Sequence, residues 1–259
     1  FFFIVMLLWL AWVAARERAL RRVMLTLLVS AVIVAALLAP WMWRNYQVFG
    51  VVALPNTNAG FTFFWANHPI HGTHFEPVLS PERGVSYQAL IPTELRHLNE
   101  AQLDRALLRR GLAFVTDDPG RYILLSLSRL PVFFLFWPTA DSSFVSNAAR
   151  VLSFGLFLPF MVYGLALSVL RAWRCWTREG LEVVLRMSAS PVFLCWLFIL
   201  VYTAIHIASW ANVRYRLPVD AFLILFAAYA IEDIAQRINA KAQGGKGAGN
   251  GGTGFRVAG

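Results

Sequence analysis

Four stretches of this chain run long enough without charge to be costly in water: Val23 to Ala39, Val151 to Leu170, Pro191 to Ala208, and Leu217 to Ile231, where Asp220 is the one exception. Runs of this length approach the ~20 apolar residues a helix needs to cross about 30 Å of hydrocarbon. In lipid every backbone N–H and C=O must be bonded within the chain, so such runs admit helices and little else. Composition agrees. Hydrophobic residues make up 58% and charged residues 14%, whereas a soluble domain carries about a quarter charged. The formal net charge of +9 lies in short clusters beside the apolar runs rather than along one stripe. That pattern orients helices in a bilayer and excludes nucleic acid as the partner. The expected fold class is therefore all-α: a polytopic transmembrane helix bundle with a mixed extracytoplasmic insert and interfacial helices.

In order, the first part is residues 1–43, two transmembrane helices joined by a basic turn with Arg16, Arg18, Arg21 and Arg22. Phe1 to Ala15 is short for a span and reads as the tail of one, so the missing N-terminal half of the same protein is expected to precede it. The second run is expected to end at Pro40, with Trp41 and Trp43 at the headgroup level. Residues 44–138 form the insert. Asn56, Asn58 and Gly60 mark a loop, as do Pro69, Gly72, Pro77, Pro81 and Gly84. Asn99, with Gln102 three residues on, opens an amphipathic helix to Thr116, stapled by Leu98 and Leu103. Its apolar face carries Leu103, Leu107, Leu108, Leu112 and Val115 and either packs on the insert or, as the favoured reading, lies on the membrane.

Arg121 to Trp137 decides the topology. Were it a span, the basic loop with Arg171, Arg174, Arg178 and Arg186 would face outward, against the charge rule. Interrupted by Arg129 and Pro131, it reads as an interfacial or re-entrant helix buried against protein. Residues 139–234 supply three further spans, anchored at the inner face by Trp173 and Trp176. Residues 235–259 are a glycine-rich cytoplasmic tail expected to be disordered beyond Ala240. The insert is then expected on the side opposite the cytoplasm.

The segment SWANVRYRLPVD, Ser209 to Asp220, places Arg214 and Arg216 between two apolar runs. Guanidinium groups at that boundary are costly unless an anion meets them, and phosphate matches their planar fork. Tyr215 lies between them, and the helix started by Pro218 turns its positive end toward the same place. Snorkelling at the interface is the plainer use of both arginines. The same choice applies to Arg44 with Asn45. Asp220 reads as a first-turn acid within reach of Arg216 rather than as a catalyst. His68, His71 and His74 share a face only in a helix that Pro69 and Gly72 oppose. A loop could still gather the three around a divalent metal, but the plainer reading of them and Asn67 is a polar loop, and no cofactor is called for. His206 reads as a buried, bonded histidine, Asp117 and Asp118 as turn residues, and Cys175 and Cys195 as inert.

Four motifs in order carry a family resemblance: PWMWRNY with FG (Pro40 to Gly50), LPNTNAGFTFFWANHP (Leu54 to Pro69), DDPGRY (Asp117 to Tyr122) and RYRLPVDAFLILFAAYA (Arg214 to Ala230). Together they resemble the C-terminal portion of bacterial C-type-fold membrane glycosyltransferases, the superfamily of protein mannosyltransferases and lipid A aminoarabinose transferases. The resemblance implies inverting transfer of a sugar from a polyprenyl-phosphate donor to a lipid, protein or glycan acceptor at the outer face. It also implies a catalytic acid upstream of this chain, so that this portion would hold donor phosphate and acceptor through Arg44, Asn45, Asn67, Arg214, Tyr215 and Arg216 and would not act alone. The oligosaccharyltransferase signature WWDYG is absent. A lipid-linked-sugar flippase or transporter would need similar arginines, but also broken mid-membrane helices and paired halves. A non-catalytic membrane assembly subunit would need only the spans and the insert.

Overall fold

The computed structural model describes residues 2–16, 20–52, 56–77, 86–140 and 142–249. Arg18, Leu54, Pro81 and Gly84 lie outside them. The α-helices are α1 (Phe2–Arg16), α2 (Leu20–Phe49), α3 (Ala59–Asn67), α4 (Glu100–Asp117), α5 (Pro119–Leu127) and α6 (Arg129–Phe133), followed by α7 (Phe144–Arg150), α8 (Leu158–Glu179), α9 (Leu181–Ser188), α10 (Pro191–Ala208) and α11 (Leu217–Gly249). No strand occurs among the described residues, so the described part of the insert is helical rather than mixed. Among the described residues three segments are long and apolar enough to cross a membrane: Val23–Phe49, Phe144–Glu179 and Pro191–Ala208. The chain divides into two compact units, Phe1–Leu135 with Ser188–Leu217, and Phe136–Met187 with Pro218–Gly259.

In the first unit α2 runs through Pro40 to Phe49 instead of stopping at the proline. A proline removes one backbone donor, while ending the helix in an apolar medium would strip several groups of their partners. Arg44 and Asn45 thus sit inside the last turns of a helix. Trp9 of α1 donates its Nε1 to the Ser188 carbonyl at 2.7 Å.

Ala59–Asn67 is also helical where a loop was expected from Asn58 and Gly60. Its sequence AGFTFFWAN is apolar all round and so has no periodicity to read. What makes it a helix is docking on α4. The Asp104 carboxylate of α4 accepts from the amides of Gly60 at 2.7 Å and Phe61 at 3.1 Å, satisfying two donors of the α3 N-terminus. Glycines permit the approach: a Cβ on Gly60 would collide with the Asp104 backbone, and one on Gly111 would meet the Phe63 ring at 2.9 Å. Phe64 and Leu107 are buried at this contact together with Ile91. Helix α4 therefore packs on the insert, and the favoured membrane-surface reading is corrected. Its start is as read, with the reciprocal capping box between Asn99 and Gln102. Leu112, placed on the apolar face from spacing, is instead exposed.

Arg121 to Trp137 is broken as its interruptions suggest. Asp118 caps α5 by accepting from the Arg121 amide at 2.9 Å, α5 stops at Leu127, and α6 ends at Phe133. The turn after α3 depends on His68, whose Nδ1 accepts from the Ile70 amide at 3.1 Å. Burial, aided by the Arg121 charge, lowers the His68 pKa below its ordinary value of 6.5. A depressed folded-state pKa contributes stability that is complete above 6.5 and lost as pH falls through the lower folded value. The first unit is accordingly expected to lose thermal stability on acidification below about pH 6.5, and His68→Asn, which keeps an acceptor that does not titrate, to flatten that part of the profile. A parent profile already flat there would contradict the capping role.

In the second unit α7 continues through a wide turn, Val151–Gly155, into α8, with the Leu156 amide reaching back to the Val151 carbonyl at 2.9 Å. Arg171, Arg174 and Arg178 lie on the last turns of α8, not in a loop. Helix α11 extends to Gly249, where disorder was expected beyond Ala240, carried by the helix formers Ala240, Lys241, Ala242 and Gln243.

Candidate functional site

The corner between α10 and α11 is built by its own polar residues. Ser209 Oγ donates to the Ile205 carbonyl at 2.6 Å, closing α10. Asn212 Oδ1 accepts from the Arg214 amide at 3.2 Å and starts the short 3-10 turn Val213–Arg216. That turn sends its two arginines in opposite directions. Arg216 goes inward, 3% exposed, donating to the Leu135 carbonyl at 3.2 Å. Arg214 stays outside, with its guanidinium 5.0 Å above the Tyr215 ring and donating to the Tyr215 hydroxyl at 3.1 Å. Tyr215 in turn stacks on His206 at 4.8 Å and 12°.

Facing this corner is a pocket of about 280 Å³. Helix α3 and the residue before it supply Asn58, Thr62 and Trp65, the following loop supplies Pro77 and Tyr87, and the corner supplies Trp210, Arg214 and Tyr215. The aromatic rings are locked to one another. Tyr87 packs against Trp65 at 5.7 Å and against Trp210 at 5.3 Å, and its hydroxyl donates to the Glu76 carbonyl at 2.7 Å. Phe75 supports Trp210 edge to face at 5.3 Å. Of the lining residues only Arg214 is charged. The buried Trp65 Nε1 has no acceptor among the described residues. Such a wall offers apolar ring faces, two small polar side chains and one cation to whatever enters.

Beneath the aromatic wall lies Arg129, 0% exposed. Its Nη1 donates to the Ile207 carbonyl at 2.8 Å and Ser126 Oγ at 3.2 Å, and its Nη2 to the Ala66 carbonyl at 2.5 Å and Asn67 Oδ1 at 2.9 Å. The guanidinium also lies 4.9 Å from the Phe75 ring centroid. Every acceptor is neutral. Burial lowers the Arg129 pKa from its ordinary value to about 10, with Tyr122 opposing and Arg121 adding to the effect.

Of the residues singled out from sequence, Arg214 and Tyr215 line the pocket, whereas Arg216, Asn67, Arg44 and Asn45 do not. Asn67 is fully buried, its Nδ2 donating to the Phe63 carbonyl at 2.9 Å while its Oδ1 serves Arg129. Arg44 lies 5.2 Å from the Trp41 ring and donates to Asn45 Oδ1 at 3.3 Å. His71 Nε2 meets the Trp65 carbonyl at 3.0 Å. Among the described residues no three His, Cys, Asp or Glu side chains converge as metal ligands would. Asp220 stands in the first turn of α11. Sequence reasoning missed Trp65, Tyr87, Trp210, Asn58 and Thr62, which are scattered along the chain and meet only in the fold. It also passed over Arg129, although an arginine inside an apolar run carries the signal that drew attention to Arg214. No protein-family model, curated protein or solved structure matches the chain.

Proposed function

We propose that this chain is the donor-holding portion of an integral-membrane glycosyltransferase that moves a sugar from a polyprenyl phosphate to a lipid, protein or glycan acceptor. The observation that carries the reading is Arg214 at the rim of an aromatic pocket, beside the end of the apolar helix α10. A sugar ring presents C–H faces that stack on Trp65, Tyr87 and Trp210, and hydroxyls within the repertoire of Asn58 and Thr62. Its phosphate finds the Arg214 guanidinium. A polyprenyl tail needs an apolar medium, and the three long apolar helices are consistent with one. In the fuller topology α1, α2, α7 with α8, α10 and α11 make five crossings of a bacterial inner membrane, with the insert in the periplasm.

In the transfer, the acceptor oxygen bonds to the anomeric carbon as the bond from that carbon to the phosphate oxygen breaks. The hydroxyl proton goes to a base that the family resemblance places upstream of Phe1, and the charge gathers on the departing phosphate. Arg214 would stabilise that charge, a contribution that develops with bond breaking and so lowers the barrier. With full-length protein and a labelled polyprenyl-phosphate sugar, Arg214→Ala is expected to lower kcat by about 100-fold or more. Trp210→Ala should act chiefly on KM. Transfer undiminished in Arg214→Ala would remove the arginine from the mechanism.

A further inference from the structure

Helices α8 and α11 pack side by side at constant register. Gly164 lies against Phe226 so closely that a Cβ would collide with the Phe226 carbonyl, and one heptad further on Arg171 Nη2 donates to Asp233 Oδ1 at 2.6 Å. Both contacts join residues 62 positions apart, so the two helices run in the same direction. The residues beyond Arg171 on α8 and beyond Asp233 on α11 therefore emerge at the same end. On α8 these are Arg174 and Arg178, at helical spacing from Arg171; on α11 they are Arg237 and Lys241, at helical spacing from Asp233.

This end is built rather than merely basic. Asp233, 6% exposed, accepts from the Tyr163 hydroxyl at 2.7 Å and from Arg237 Nε at 2.7 Å besides Arg171. Arg171 also lies over the Tyr229 ring at 4.8 Å. One buried carboxylate thus fixes two guanidinium groups that remain open to the surroundings, and the terminal nitrogens of Arg237 have no acceptor among the described residues. Arg174, Arg178 and Lys241 are exposed and have no acid partner among them either. Glu232 lies on another face, held by Gln236 at 3.0 Å. Trp173 and Trp176, both exposed, stack edge to face at 5.0 Å on α8.

We propose that this end of the α8 and α11 pair binds the phosphate headgroups of anionic phospholipids. The order of side chains along α8 argues for a lipid over a free anion. Exposed Val162, Val169 and Leu170 come first, then Trp173 and Trp176 with Arg174 between them, then Arg178. That is the order of hydrocarbon, interface and phosphate, and Arg174 stands about 6 Å beyond Leu170 along the axis, about the depth of the headgroup layer. A soluble anion would gain nothing from the apolar face or the indoles.

The test uses the full-length protein in vesicles containing equal mole fractions of either brominated phosphatidylglycerol or brominated phosphatidylcholine. Tryptophan quenching is read, and the Trp173 and Trp176 contribution is identified by its loss in Trp173→Phe with Trp176→Phe. The anionic lipid is expected to quench that component at several-fold lower content. The triple variant Arg174→Gln, Arg178→Gln and Lys241→Gln should abolish the preference, each cation near the surface being worth up to about fivefold. Arg174→Lys with Arg178→Lys should retain it. Coincident quenching curves in the parent would overturn the proposal, as would a preference surviving in the glutamine variant. Loss of preference in the lysine variant as well would assign the effect to damaged packing and overturn it too.

Discussion

Replacing Arg129 with alanine is expected to destabilise the first unit by at least about 3 kcal/mol. The guanidinium joins three pieces of chain, the end of α3 at Ala66 and Asn67, the break before α6 at Ser126, and the end of α10 at Ile207. Its burial is unfavourable in itself. The drop of its pKa to about 10 corresponds to roughly 3 kcal/mol against the charged form. That penalty fades only as pH rises above about 10, so it adds no pH dependence near neutrality. Removing the side chain lifts the penalty but strips the Ala66 and Ile207 carbonyls and Asn67 Oδ1 of a donor and opens a cavity below Phe75, and these losses dominate. Arg129→Met separates the two terms, since it restores volume without donors, and should remain about 2 kcal/mol or more below the parent. Thermal unfolding followed by tryptophan fluorescence measures both. A methionine variant as stable as the parent would show that the bonds contribute nothing net. Because Phe75 packs on both Arg129 and Trp210, either variant should also loosen the pocket wall.

Gly164→Val should be the second large loss, about 2 to 4 kcal/mol, and should fall on the second unit. The obstacle is a backbone carbonyl, that of Phe226, which cannot rotate away. Helices α8 and α11 must separate or slide, and one heptad later that motion pulls Arg171 from Asp233, leaving a buried carboxylate short of a partner. Gly120→Ala is the matched control. A Cβ there meets only Asp118 Oδ1 at 3.6 Å, an ordinary contact, and the variant should unfold with the parent. A Gly164→Val protein as stable as the control would mean that the close approach is not required.

The features legible from sequence were those governed by local chemistry. The capping box at Asn99 and Gln102 needs only its own turn, and the break in Arg121 to Trp137 follows from one arginine and one proline. The corner at Ser209 to Arg216 could be located because charges between apolar runs are conspicuous, yet which arginine faces outward could not. That depends on Leu135 lying where Arg216 can reach its carbonyl. Helix α3 was hidden because its start is held by Asp104, 44 positions away, and because residues apolar on every side leave no period. The same contact draws α4 onto the insert. Pro40 was weighed by its rule in water, where a helix can end cheaply, and α2 continues past it. The aromatic wall could not be read at all, since Trp65, Tyr87 and Trp210 become neighbours only after the insert folds against the end of α10.

The proposed function requires the pocket at the α10 corner to hold a phosphate-linked polyprenyl sugar through Arg214. Equilibrium binding of a radiolabelled polyprenyl phosphate and of the matching uncharged polyprenol to the full-length protein in micelles tests it most directly, in the parent and in Arg214→Gln. The parent is expected to prefer the phosphate by about tenfold or more, the worth of a charge-assisted hydrogen bond, and Arg214→Gln to lose this preference while binding polyprenol unchanged. Equal affinity of the parent for the two lipids, or an undiminished preference in Arg214→Gln, would contradict it.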